Sequence, residues 1–83
     1  MDQQLRASVV ITVYNGQQYI AQAIQSVLDQ PFEGFELLVV DDGSTDGTPA
    51  ILAGIEDPRL RCLAPGRIGR AKALNLAVTK SRG

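Results

Sequence analysis

Histidine is absent from the 83 residues, and cysteine appears once, at Cys62. Without histidine, these residues hold no serine–histidine catalysis and no zinc site of the usual spacing. One cysteine cannot build a disulfide framework. Cys62 is expected as a buried, inert thiol, in keeping with a reducing compartment. An excess of either charge is also missing. Eight Lys and Arg stand against nine Asp and Glu, which gives no electrostatic case for nucleic acid as a partner. No apolar run approaches a membrane span, and the N-terminus lacks the charged-then-apolar layout of a signal peptide. Gly66 and Gly69 are only a fragment of a Gly-x-Gly-x-x-Gly dinucleotide fingerprint, and there is no phosphate loop. Internal repeats, low-complexity tracts and linkers are absent too. What is present is 45% hydrophobic residues at near-neutral charge, the composition of a globular chain.

Ala7 to Val13 is a β-branched run without helical period, as expected for a strand covered on both faces. Tyr14-Asn15-Gly16 breaks it. Asn15 is a suitable N-cap for a helix over about 17–29, with Tyr19, Ile20, Ala23, Ile24, Val27 and Leu28 as one apolar stripe. Pro31 closes that region, and Gly34 precedes a second strand that runs through Val40. A second helix is expected over about 46–54, capped by Ser44 or Thr45, with Ile51, Leu52 and Ile55 inward. Asp57-Pro58 marks a turn, and Arg59 to Leu63 alternates like a short, exposed third strand. Pro65-Gly66 turns again, into a helix over about 69–80 whose inner face is Leu74, Ala77 and Val78. Strands alternating with helices imply a parallel sheet with right-handed crossovers. The fold class is α/β, a βαβαβα half of a doubly wound, Rossmann-like sheet.

Phe35 to Thr48, an apolar run that delivers Asp41 and Asp42 onto a glycine-rich turn, is the most informative stretch. Ionised carboxylates are almost never buried unpaired. Two of them at the end of a buried parallel strand sit where open α/β sheets bind ligands. A ligand site and a capped turn before the second helix both account for them. A three-stranded parallel sheet also leaves apolar edges open. The 83 residues are therefore expected to be the front portion of a larger domain and marginally stable in isolation. A self-sufficient small domain, or self-association through the unpaired edges, is the competing view.

These residues carry a resemblance. Ser8 to Gly16, Leu28-Asp29-Gln30, Phe35 to Thr48 and Ala73-Leu74-Asn75 with the closing Gly83 look like the start of a family 2 glycosyltransferase with the GT-A fold. The likeness covers nearly the whole chain after Arg6, with several motifs in order. Thr12 departs from the proline that many members carry, though threonine is also seen there. The resemblance implies that 1–83 is the truncated N-terminal nucleotide-binding portion of such a domain. Tyr14 would stack on a uracil-like ring and Thr12 would give it a polar contact, with Asn15 beside them. Asp42 would accept the ring imino hydrogen, while Asp41 would hold the turn or reach the ribose. Arg70, with Lys72 second, would lie over the base carbonyl or phosphates. A solvated helix face is the alternative for both basic residues.

The resemblance also implies an activity: transfer of a sugar from a nucleotide-diphosphate sugar, with UDP favoured, to a glycan, lipid or protein hydroxyl, with inversion. Magnesium or manganese would be held in the full-length parent by an Asp-x-Asp motif beyond residue 83. No catalytic residue or metal ligand is assigned within the chain, and the isolated chain is expected to be inactive. Its implied compartment is the cytoplasm, with membrane association of the full-length parent a second option. Two rivals remain. A receiver-like signalling domain would use the paired acids for magnesium, but it expects an aspartate where Leu63-Ala64-Pro65 stands. A non-catalytic nucleotide-binding module would keep only the pocket. An EF-hand fails because Ala53 occupies the position of the bidentate glutamate.

Overall fold

The computed structural model describes residues 7–31 and 34–82; Gly83 lies outside them. Strand β1 (Ala7–Val13) leads to helix α1 (Ile20–Leu28) and strand β2 (Phe35–Asp41). Helix α2 (Thr48–Ala53), strand β3 (Leu60–Leu63) and helix α3 (Arg70–Lys80) follow. The three strands form one parallel sheet in the order β1-β2-β3. The expected βαβαβα order therefore holds, with both crossovers supplied by helices.

β2 is buried along its whole length because it has a strand on each side and helices on each face. Its side chains alternate between two layers, as a pleated strand requires. Leu37 and Val39 join Phe35, Ile20, Ile24, Leu28 and Leu52 on the α1/α2 side. Val40 packs on the other side against Ala73 and Ala77 of α3, with Val10, Leu63 and Ile68 around them. β1 and β3 are edge strands and only partly buried.

Several expectations need correction. α2 begins at Thr48 rather than near Asp46, with Gly47 at its N-cap and no side-chain cap from Ser44 or Thr45. The inner face of α3 is Ala73 and Ala77, while Leu74 and Val78 are 47% and 62% exposed. Small alanines let the helix lie close on the sheet, so the larger apolar residues, one position further round, face outward. α1 begins at Ile20 rather than near Gln17, and Tyr19 is exposed. Cys62 is exposed on the edge strand; partial desolvation and the nearby Asp41 charge push its thiol pKa up, which keeps it protonated.

The far end of the sheet is closed by a buried carboxylate. Glu36 lies opposite Ser8 in the β1–β2 register and accepts the Ser8 hydroxyl at 2.7 Å. It also accepts Arg61 Nη1 at 3.0 Å and the Arg82 N–H at 2.5 Å. Arg61 donates in turn to the carbonyl of Lys80. Burial alone would raise the Glu36 pKa, but the Ser8, Arg82 and Arg61 donors outweigh it and hold it at about 2. This cluster fastens the end of α3 to the base of the sheet.

Candidate functional site

The register pairs Val13 with Asp41, and the Asp42 N–H donates to the Val13 carbonyl at 2.8 Å. The tips of β1 and β2 therefore finish side by side, and the next residues, Tyr14 and Asp42, emerge at one end of the sheet. A cleft of about 450 Å³ opens there, lined by Thr12, Val13, Tyr14, Asp42, Arg67 and Arg70. The Tyr14 ring and the Asp42 carboxylate share this hollow rather than diverging across the sheet.

Asp41 and Asp42 are both buried, and each accepts hydrogen bonds from protein donors. Asp41 Oδ1 accepts the Ser44 N–H at 3.0 Å, which holds the turn after β2. Asp42 Oδ1 accepts two backbone donors, Ile68 N–H at 2.6 Å and Gly69 N–H at 3.0 Å. Asp42 Oδ2 accepts Arg67 Nη1 at 2.8 Å. Asp42 thus escapes the penalty of an unpaired buried charge by gathering donors from the loop before α3, and Asp41 by taking one from the turn after β2.

That loop is seated by Gly43. Its φ of +73° is in the left-handed region, and a Cβ there would come within 2.7 Å of the Arg67 nitrogen. Only glycine lets the two backbones approach this closely. Arg67 then reaches back over the cleft, and its guanidinium carbon lies 3.7 Å from the centre of the Tyr14 ring. Arg70, the first residue of α3, adds a second cation on the same cleft. No acidic residue occupies the first turn of α3, and no side chain caps it. The positive end of the helix and two arginines therefore face the cleft together, a field that suits an anion.

Thr12, Tyr14, Asp42 and Arg70 are thus brought together, as the sequence suggests, while three other candidates stand elsewhere. Asn15 does not cap α1. Its φ is +52°, and its side-chain oxygen accepts the N–H groups of Thr45 and Asp46, lacing the two strand tips. Asp41 is turned to Ser44. Lys72 is exposed on α3 and does not line the cleft. Arg67 and Val13 line it and escape notice in the sequence. The signal for Arg67 was its place in Pro65-Gly66-Arg67-Ile68-Gly69, an arginine flanked by flexible residues just before a helix.

A sequence profile described as glycosyl transferase family 2 matches residues 8–83. The chain belongs to glycosyl transferase family 2. The receiver-like reading is thereby set aside. Among curated relatives of this family, the succinoglycan biosynthesis protein ExoO of Rhizobium meliloti is 43% identical over 75 residues, which is 89% of this chain and 22% of ExoO. The glycosyltransferase GlyG of Streptococcus pneumoniae is 33% identical over 79 residues, 92% of this chain and 26% of GlyG. Solved glycosyltransferase structures share the fold. TarS 1-349 of S. aureus superposes with a TM-score of 0.85 at 31% identity over 95% of this chain and 25% of its own. The mannosyltransferase PcManGT of Pyrobaculum calidifontis, in complex with GDP-Man and Mn2+, gives 0.82 at 29% identity, over 94% of this chain and 25% of its own. The α/β half-sheet is therefore that of the GT-A glycosyltransferases.

Among the described residues, no group of three or more acids, histidines or cysteines could hold a metal ion. Asp41 and Asp42 do not fit one either, because their bound oxygens face N–H donors. No metal ligand is assigned to residues 7–31 and 34–82. No helix among them is long and apolar enough to cross a membrane.

Proposed function

We propose that the cleft binds the nucleotide of a nucleoside-diphosphate sugar, and that it serves a glycosyltransferase acting with inversion on an acceptor hydroxyl of a glycan, lipid or protein. The observation that carries this reading is the shared cleft. One aromatic face, one buried carboxylate and two guanidinium groups meet at the strand tips. A base stacks on an aromatic ring, its imino hydrogen is a donor for an acceptor-only carboxylate, and a diphosphate takes arginine. Thr12 contributes a polar group along the base. In the transfer, the acceptor oxygen bonds to the anomeric carbon, the bond from that carbon to the diphosphate breaks, and a base takes the acceptor proton. The residues described here supply the nucleotide's seat and none of that proton transfer.

The carboxylate geometry favours uracil over guanine. Asp42 Oδ1 has both acceptor positions filled by the Ile68 and Gly69 N–H groups. Only Oδ2 has capacity for a ligand, which suits the single imino donor of uracil. The two adjacent donors of a guanine edge call for both oxygens. PcManGT carries GDP-Man, so the comparison of the two bases is a direct test.

Asp42→Asn is the informative variant. Asp42→Ala would also strip two backbone donors of their acceptor and unmoor the loop before α3, so it cannot isolate binding from folding. The amide keeps an oxygen for Ile68 and Gly69 but loses the charge. By calorimetric titration of the intact protein, UDP is expected to bind more tightly than GDP. The amide variant should lose about 1–3 kcal/mol of UDP affinity, the scale of one buried hydrogen bond. UDP affinity equal in the two proteins would remove Asp42 from the base site. Sugar release from UDP-sugar by the full-length parent separates a transferase from a module that only binds.

A further inference from the structure

Arg67 makes the two contacts assigned above to the pyrimidine. Its guanidinium carbon sits over the Tyr14 ring, 3.7 Å from the ring centre, and its N–H group donates to Asp42 Oδ2 at 2.8 Å. A uracil ring in that cleft would need the same ring face and the same oxygen. The side chain is also the movable part of its loop. The backbone around it is pinned by Asp42 Oδ1 through Ile68 and Gly69 and seated against Gly43, whereas the Arg67 side chain is 58% exposed. Turning it aside breaks one long contact to backbone, from Arg67 Nη1 to the Asp42 carbonyl at 3.5 Å, and leaves the Ile68 and Gly69 N–H bonds in place.

We propose that Arg67 is an internal stand-in for the base, displaced by an incoming nucleotide, and that this displacement makes the cleft select nucleoside diphosphates over bare nucleosides. The inference rests on the nucleotide reading above. A nucleoside must break the Arg67–Asp42 ion pair and the ring contact and leaves the guanidinium with solvent alone. A nucleoside diphosphate offers the displaced arginine a new anionic partner a few ångströms further along the cleft, beside Arg70. Arg67 would then act twice, first as a competitor for the base seat and afterwards as a diphosphate clamp.

Titrations of the intact protein with uridine and with UDP test this. An exposed cation–ring contact and a half-exposed ion pair together oppose uridine by a modest factor, so Arg67→Ala should bind uridine about three- to tenfold more tightly than the wild type. The same variant should bind UDP no better, which collapses the discrimination between the two ligands. Arg67→Lys, which keeps the charge but not the plane, should fall between. Because uridine is neutral, its affinity for the wild type should rise with added salt, which weakens the Arg67–Asp42 pair, and should be flat in Arg67→Ala. Uridine affinity that is unchanged or weaker in Arg67→Ala, with UDP still binding the wild type, overturns the stand-in and leaves the nucleotide site intact. Failure of the wild type to bind either ligand overturns the nucleotide reading and the stand-in with it.

Discussion

The side-chain oxygen of Asn15 accepts the backbone N–H of Thr45 at 2.7 Å, joining the tip of β1 to the turn after β2 across thirty residues of sequence. The same junction is reinforced from both sides. The Asn15 N–H donates to Ser44 Oγ, the Gly16 N–H to Thr48 Oγ1, and the Gly47 N–H to Gln17 Oε1. Two loops that each carry a wall of the cleft are thereby held as one unit, which matters for a site whose ring and carboxylate come from different strands.

Substitutions at Asn15 should separate its two roles. Asn15→Gly keeps the φ of +52° without strain but loses the acceptor; Asn15→Ala loses the acceptor and adds left-handed strain. Losses of about 1 kcal/mol for glycine and about 2–3 kcal/mol for alanine are expected in urea unfolding. A glycine variant as damaged as the alanine variant would assign the whole effect to the hydrogen bonds.

Gly43→Ala should do more harm than Gly66→Ala. Both glycines have positive φ, +73° and +93°, but a Cβ at Gly43 meets the Arg67 backbone at 2.7 Å while one at Gly66 meets nothing within 4 Å. Backbone strain alone gives about 1–2 kcal/mol at either position, and the clash adds about 1–3 kcal/mol at Gly43. Thermal midpoints of the two variants measure the difference. Nucleotide affinity should fall only in Gly43→Ala, because only there does the Arg67 loop move.

Arg70 and Lys72 occupy the same first turn of α3 and should differ sharply. Arg70→Ala is expected to lose about 1–3 kcal/mol of UDP affinity, with the loss shrinking as salt rises. Lys72→Ala, on the solvent side, should stay within about 0.5 kcal/mol of the wild type. A larger effect at Lys72 would shift the phosphate contact to the outer face of the helix.

Acid should weaken the fold through Glu36. Its pKa is held at about 2 in the folded chain against an ordinary value of 4.5. A carboxylate depressed on folding stabilises the native state above its unfolded pKa. That contribution fades as pH falls from about 4.5 towards 2. Asp57, held at about 2 chiefly by its hydrogen bond from Arg59, titrates in the same window. Urea midpoints measured between neutral and acid pH should therefore fall steeply for the wild type and less steeply for Glu36→Gln. A Glu36→Gln slope equal to the wild type's would place the acid sensitivity elsewhere, with Asp57 the first candidate.

The strands and the order of elements could be read along the chain because their cause is local. A β-branched run at 7–13 and a mostly apolar run at 35–40, broken by Asn15-Gly16 and by Asp41-Asp42-Gly43, leave few conformations open. The family resemblance rests on those same contiguous motifs, and so does the placing of Tyr14, Asp42 and Arg70 at one end of the sheet. The partners of each side chain could not be read this way. That Asn15 laces two loops, that Asp42 gathers donors from residues 67–69, and that Arg67 lies on Tyr14 all depend on contacts spanning 25 residues or more. The inner face of α3 misled for a related reason: Leu74 and Val78 satisfy a helical apolar stripe, but the close approach of the sheet selects Ala73 and Ala77. Periodicity along a chain specifies which elements form, whereas the packing distance between elements and the pairing of buried charge arise only once strands distant in sequence lie side by side.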